Sequence, residues 1–273
     1  MEEHISQLTH WVNHHFAPIA LSLLHALRLQ PADYENPIPE YLVMALVVFV
    51  VCVILALILR PRLSAERPGA MQQVAEMLLT NPLSFGIKDL LDENVGHGSD
   101  KFIPFVGSIS IFILFSNLLG VIPAFSSPTG GAVPIVPLGC AILTFLYFNY
   151  QGLKHHGPVG YLKTFAGPVW WLAWLIGPVE MISATARILS LTVRLWANIF
   201  ASDLIYVIFL SLLLAPTQWG WSKSPILGVI FGVFPLVIPI AFILLHIFVS
   251  IIQAYVFTVL PSIYIGMAVA EEH

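Results

Sequence analysis

Ionisable side chains interrupt two long apolar stretches near the C-terminus. In chain order they are Glu180, Arg187, Arg194, Asp203 and His246. Placing a charge inside a membrane-spanning helix costs about 3 kcal/mol or more, so such residues are rarely without a role. Carboxylates and imidazoles exchange protons near neutral pH, whereas a guanidinium keeps its charge at any working pH. This combination of residue types indicates proton movement across a membrane.

The spacing of these residues decides which of them share a helix face. Glu180, Arg187 and Arg194 recur every seven positions, and at about 100° per residue they form one stripe that drifts by about 40°. Asp203 lies nine residues beyond Arg194 and therefore points about half a turn away. Arg194 and Asp203 cannot pair on their own helix. For Glu180 and Arg187, an interfacial structural role and a functional role both remain open.

A short polar turn centred near Ser224 joins the two stretches. Antiparallel packing about this turn predicts that Asp203 lies opposite His246 and that Arg194 lies opposite Gln253. A carboxylate beside an imidazole predicts a proton relay site, and a guanidinium beside an amide predicts a fixed, hydrated cation. A buried structural pair is the alternative interpretation of the acid and the histidine.

Other polar and sulfur-containing residues are typical of structural roles. Asn117, in an earlier apolar run, and Asn198, one turn after Arg194, favour hydrogen bonds between helices. Cys52 and Cys140 lie in separate apolar runs and are expected to behave as small hydrophobic residues. Four histidines near the N-terminus lack the companion ligands of a metal site: His4, His10, His14 and His15. The sequence has no glycine-rich phosphate loop and no nucleophile–base motif, so it predicts neither an ATP site nor a cofactor.

The composition predicts an all-α integral membrane protein. Hydrophobic residues make up 58% of the chain and charged residues only 10%, which excludes a water-soluble domain of this length. Residues 1–40 are predicted to form an N-terminal segment that precedes a membrane domain over residues 41–273. That domain should contain five membrane-crossing helices at about 41–60, 102–125, 133–150, 169–216 and 225–270. An amphipathic helix on the membrane surface is predicted over about 70–92.

The last two stretches are too long to cross a bilayer upright. Each would extend about 70 Å as a helix, against a hydrocarbon core of about 30 Å. They must either lie steeply tilted as a hairpin or break into shorter helices, with Pro235 and Pro239 as candidate breaks. The pattern favours tilted, kinked helices.

The distribution of basic residues predicts the orientation in the membrane. Arg60 and Arg62 follow the first crossing, and Lys154 and Lys163 follow the third. Because basic residues favour the cytoplasmic side, the N-terminus is expected outside and the C-terminus, Glu271 to His273, inside. The first forty residues lack the features of a cleavable signal and are expected to remain in the mature protein.

Three segments of the chain resemble subunit a of bacterial F-type rotary ATP synthases. They are PVEMISATARILSLTVRLWANIFASDLI from residue 178, LHIFVSIIQAYVFTVLPSIYIG from residue 245 and FILFSNLLGVIP from residue 112. With the order of elements, the resemblance covers nearly all of the chain from residue 40 onward. It implies a non-catalytic, ion-conducting stator subunit in a bacterial inner (plasma) membrane.

The resemblance also implies partners and residue roles. The partners would be a rotor ring of small hairpin c subunits, peripheral stalk b subunits, membrane lipid and, indirectly, the catalytic head, with no nucleic acid. Arg194 matches the arginine that separates two aqueous half-channels and meets the rotor carboxylates. Asp203 and His246 match the outer acid–histidine pair, and Gln253 matches the amide near the arginine. Glu180 matches an acid on the inner side.

Asn198 and Asn117 take supporting polar positions in this comparison, with Arg187 on the same stripe as the inner acid. The sequence departs from the family pattern where Trp196 and Ala197 replace a usual Phe-Gly pair. In addition, Asp203 is a shorter acid than usual, and the loop from Ser126 lacks polar residues often found there. These departures leave the width and path of the outer channel open.

Two other functional classes fit the composition less well. A secondary transporter predicts an internal repeat with matching broken helices in both halves, and the sequence shows none. A non-conducting assembly subunit predicts that Arg194 can be replaced without loss of pumping. The choice between H⁺ and Na⁺ as coupling ion stays open, because that choice lies largely on the rotor subunit.

Overall fold

A computed structural model of the chain describes residues 6–26, 36–64, 68–80, 86–96, 98–122, 125–131, 133–166 and 170–269. The regular secondary-structure elements in those ranges are α-helices and short 3₁₀ helices, with no strand among them. The α-helices are α1 Gln7–Ala26, α2 Glu40–Leu59, α3 Ala70–Leu79, α4 Ile87–Val95, α5 Ile103–Leu119, α6 Ile135–Ala166, α7 Ala173–Lys223 and α8 Pro225–Val269. The ends of the chain, including His4 and Glu271 to His273, lie outside the described residues.

The helices have the length and composition of membrane spans. Four segments of the described chain qualify: Glu40–Arg62, Ile135–Pro158, Trp174–Lys223 and Pro239–Val269. Helix α5 is also apolar but has only 17 residues, about 26 Å of helix. Large apolar side chains point outward, as with Leu46 at 62% and Phe49 at 60% exposure on α2, and a surface of this kind requires lipid as its solvent. The chain is therefore an all-α, multi-pass integral membrane protein, as the composition predicts.

Helices α7 and α8 are continuous rather than broken. They contain 51 and 45 residues, or about 76 Å and about 68 Å of helix, and α8 continues through Pro235 and Pro239. The predicted polar turn is shorter than expected, because helix persists to Lys223 and only Ser224 is non-helical. Each helix must lie tilted or extend beyond the hydrocarbon core.

Three predicted boundaries need correction. The single surface helix predicted at 70–92 is two helices, because α3 ends at Leu79 and the next residue, Thr80, is extended with φ −134° and ψ 93°. Pro82 follows in the sequence, and the residues before a proline disfavour helix. The crossing predicted at 102–125 ends earlier, at Leu119. The crossing predicted at 133–150 extends to Pro158. The helical backbone is interrupted at Gly157, whose φ of 70° suits glycine, and a further helical stretch follows to Ala166.

The chain divides into two compact units, and each boundary falls inside a helix. The first unit contains Met1–Val50, Phe115–Val136 and Trp196–Ile251. In it, the ends of α7 and α8 adjoining Ser224 run antiparallel: Thr217 Oγ1 donates to the Phe231 carbonyl at 3.1 Å. The Asn13 side chain fixes the chain before α2, because its amide both donates to and accepts from the backbone of Ile38 at 3.0 Å.

The second unit contains Val51–Leu114, Pro137–Leu195 and Ile252–His273. Its apolar core has two clusters, one around Leu91, Val106 and Ile265 and the other around Ile113 and Leu195, all fully buried. Polar side chains join its helices at two levels. Asn94 donates to Ser262 at 3.2 Å, and the Thr258 hydroxyl donates to Ser110 at 2.8 Å.

Candidate functional site

Asp203 on α7 and His246 on α8 face each other within the first unit. Asp203 Oδ1 lies 3.7 Å from His246 Nδ1. Their surroundings differ sharply, because the carboxylate side chain is 48% exposed and the imidazole side chain is 8% exposed. The antiparallel register predicted from the turn at Ser224 is confirmed for this pair. An accessible acid beside a buried base is an arrangement that can pass a proton inward.

Hydrogen bonds define which ring nitrogen of His246 can accept a proton. Nε2 lies 3.2 Å from the backbone carbonyl of Asn117, and a carbonyl only accepts, so Nε2 carries hydrogen. In the neutral ring Nδ1 is then the acceptor, and the Ser202 hydroxyl lies 3.2 Å from it. Protons therefore exchange at Nδ1, on the side of Ser202 and Asp203.

The segment between α5 and α6 supplies buried polar groups to the same unit. Thr129 Oγ1 donates to Asn117 Oδ1 at 2.6 Å, and the Ser127 and Thr129 hydroxyls are 2.7 Å apart. Asn117 and Thr129 are fully buried and Ser127 nearly so. Asn117 therefore forms a hydrogen bond with a loop and not only with a neighbouring helix. The loop has no charged residue, but its buried hydroxyl groups make it polar.

Arg194 belongs to the second unit, where its side chain is exposed. One guanidinium nitrogen donates to Ser190 Oγ at 3.3 Å on the same helix. The charge pairs present in the described residues involve other side chains, so the guanidinium has no acid partner there. Gln253 is buried in the same unit; its placement opposite Arg194 stays a prediction. Asn198 is exposed on α7.

Glu180 and Arg187 form an ion pair on α7 in the second unit. Arg187 Nη2 lies 3.1 Å from Glu180 Oε1 and 3.5 Å from Ser183 Oγ. The guanidinium carbon also lies 5.4 Å from the centre of the Tyr264 ring on α8, within cation–π range. Two of the three residues in the predicted polar stripe, Glu180 and Arg187, are therefore bonded to each other. The Arg187 side chain is the less exposed of the two.

The ion pair lines a cavity of about 220 Å³, which has room for several water molecules. Its polar lining also includes Asn149, Tyr161 and Tyr264. Tyr161 donates its hydroxyl to Asn149 Oδ1 at 2.7 Å. Burial raises the pKa of the Tyr161 phenol, so the phenol remains protonated and acts as a donor. Glu180 therefore lines a cavity that has polar groups in its wall and is large enough for water.

Sequence reasoning missed several residues of these sites. Ser202 immediately precedes Asp203, so the acid itself was the signal that could have identified it. Thr129 and Ser127 lie in an uncharged loop, and Tyr161 follows Pro158 beyond the predicted end of its span. No pattern in the chain connects these residues to their distant partners.

Comparisons with known proteins identify the family of the chain. A family model described as ATP synthase A chain matches residues 41–266. A protein of Koribacter versatilis named ATP synthase subunit a is 36% identical over 265 residues, which are 97% of each chain. Proteins of the same name from Solibacter usitatus and a Geobacter species are 38% and 33% identical over 262 and 251 residues, with 99% and 94% of the relative covered. The chain belongs to the ATP synthase subunit a family, the proton-translocating subunits of the membrane sector of ATP synthase.

Proposed function

We propose that this chain provides two half-channels to and from the carboxylates of a rotor ring, with Arg194 between them. The Asp203–His246 pair carries the proposal, because an exposed carboxylate lies 3.7 Å from a buried imidazole. Placing ionisable side chains within membrane helices is costly, and such residues commonly mark proton paths.

The outer half-channel delivers protons to Asp203 and then to His246. The 3.7 Å separation exceeds a direct hydrogen bond, so the Ser202 hydroxyl or a water molecule bridges the two groups. Asn117 holds the far side of the imidazole through its carbonyl. Gln253 is the amide beside Arg194 on the proton path, and Asn198, one turn beyond Arg194, is a supporting polar residue.

Arg194 separates the two half-channels. A guanidinium cannot release its proton at working pH, so it attracts a deprotonated rotor carboxylate but cannot pass a proton between the channels. Its exposed position and the absence of an acid partner in the described residues support this role. A carboxylate of another subunit is the counter-charge that this arrangement lacks.

Glu180 receives protons on the inner side, where the cavity around it admits water. Arg187 holds the carboxylate in position, and Tyr161 adds a donor to the lining. The chain itself has no catalytic role in this scheme. It works in the synthase complex beside the c ring and the peripheral stalk b subunits, with the head acting indirectly. The N-terminus, with residues 1–40, faces outward and the C-terminus faces the cytoplasm of a bacterium.

Replacing His246 with alanine tests the outer path. We expect ATP-driven proton pumping in inverted vesicles to fall about tenfold or more, because the buried acceptor at Nδ1 is removed. Leu244→Ala is the matched control, since Leu244 is on the same helix and 63% exposed. Equal pumping by the His246→Ala and Leu244→Ala complexes, at equal assembly, would exclude His246 from the path.

The Glu180–Arg187 pair predicts a coupled effect on proton release. Arg187→Leu should lower pumping roughly fivefold, because it leaves the acid without its partner, and neighbouring charged residues typically couple by about 1 kcal/mol. Glu180→Gln should also impair pumping, but the double variant should be no worse than Glu180→Gln alone. Single effects that multiply in the double variant would show that the two side chains act independently.

A further inference from the structure

Three hydrogen bonds hold the loop formed by residues 125–131 to α5 and α7 within the first unit. Asp203 and His246 of the same unit form what we call the outer proton site. Ser127 Oγ donates to the Ser116 carbonyl at 3.1 Å. Thr129 Oγ1 donates to Asn117 Oδ1 at 2.6 Å. From α7, Trp196 Nε1 donates to the Gly131 carbonyl at 2.8 Å. The loop is therefore fixed both to the end of α5 and to the helix that carries Asp203.

The anchors place the loop backbone directly against Asp203. A Cβ atom at Gly130 would overlap Ile199 Cγ2 on α7 and would lie 3.1 Å from Asp203 Oδ2. No side chain larger than that of glycine fits without displacing one of these groups. Gly130 thus lets the loop form one wall of the space around the carboxylate.

The same anchors reach His246 through Asn117. Asn117 accepts from Thr129 with its side chain and from His246 Nε2 with its backbone carbonyl. Thr129 is fully buried, and its hydroxyl serves this network instead of facing solvent. Thr129 and Trp196 therefore hold the loop on either side of Gly130, the residue that lies against Asp203.

We propose that Thr129 and Trp196 are positioning residues of the outer proton site, which clamp the loop over Asp203 and Asn117 against His246. The inference rests on the proposed function, since it assigns the loop to the path through Asp203. It also gives the indole at position 196 a role, because its N–H group donates to the Gly131 carbonyl and a phenylalanine ring has no such donor.

The test compares Thr129→Val, which keeps the shape and removes the hydroxyl, with Thr129→Ser, which keeps the hydroxyl. In assembled complexes, Thr129→Val should lower ATP-driven proton pumping about tenfold, because Asn117 loses its buried donor. Thr129→Ser should pump at close to the unaltered rate. Trp196→Phe should also lower pumping and serves as the second variant if Thr129→Val does not assemble.

A labelling measurement separates positioning from general damage. Gly131→Cys introduces a thiol at a position where a Cβ atom has open space, in a background with Cys52 and Cys140 replaced by alanine. Reaction with a membrane-impermeant maleimide should be several-fold faster with Thr129→Val or Trp196→Phe than with Thr129→Ser. Equal labelling and equal pumping in all three variants would overturn the inference. Asp203→Asn, measured in parallel, distinguishes failure of this inference from failure of the proposed function. If Asp203→Asn loses pumping while Thr129→Val pumps normally, only the positioning role of the loop is rejected. If Asp203→Asn pumps normally, the outer proton path itself is rejected.

Discussion

Asp203→Asn should lower ATP-driven proton pumping by about 10²-fold or more. The substitution keeps the size of the side chain and removes its only titratable group, and loss of a positioned acid or base typically has an effect of this size. His246 would then lose the accessible acid that lies 3.7 Å from its Nδ1. The measurement is the quenching of a pH-sensitive dye in inverted vesicles, with ATP hydrolysis and assembly determined in the same preparation.

Asp203→Glu is the matched control for this experiment. Glutamate keeps the carboxylate and adds one methylene group, and nearly half of the Asp203 side-chain surface is exposed, so the longer side chain has space. We expect most of the pumping to be retained. Asparagine and glutamate variants that pump equally well would show that proton binding at position 203 is not required.

Arg194→Ala should open a passive proton leak and abolish coupled pumping. Two unit charges 4 Å apart interact by about 4 kcal/mol at an effective dielectric constant of 20, a factor of roughly 10³ in a population. Removing the guanidinium removes this preference for a charged rotor carboxylate beside α7. Protons could then pass between the half-channels without rotation.

The leak is measured as the decay of an imposed pH gradient in vesicles whose complexes retain the catalytic head but receive no nucleotide, so that the rotor is held and protons cannot cross by rotation. Arg187→Ala is the control, because it removes an arginine from the same helix that is already paired with Glu180. We expect no leak from that variant. A sealed membrane with Arg194→Ala would mean that the barrier lies elsewhere in the subunit.

The fold was predictable because the length of an apolar run and the spacing of charges identify a membrane-spanning helix in the sequence. The Asp203–His246 contact followed from a single assumption, an antiparallel turn near Ser224, since every pair in a regular helical hairpin has the same midpoint. The boundaries were less predictable. Helix α7 continues through the polar residues before Ser224, and α6 continues past Gly157, because apolar composition marks the extent of the bilayer rather than the ends of the helices.

The contacts of the loop could not be predicted from the sequence. Thr129, Gly130 and Trp196 have no periodicity that joins them to Asp203, and their contacts depend on the conformation of an irregular segment. Tyr161 was missed for a related reason: it meets Asn149 only because the backbone turns at Gly157 between them. Helix periodicity carries information about neighbours on a regular element and none about such turns.

Arg194→Lys, followed by ATP-driven proton pumping in inverted vesicles at matched expression, tests whether a permanent cation separates the two half-channels. Lysine preserves one positive charge but loses the planar guanidinium, and its proton can be released in a buried setting. We expect pumping to be lost while the complex remains assembled, because a permanent cation is required between the half-channels. Normal pumping with lysine at position 194 would show that the guanidinium is not required and would favour a non-conducting role in assembly.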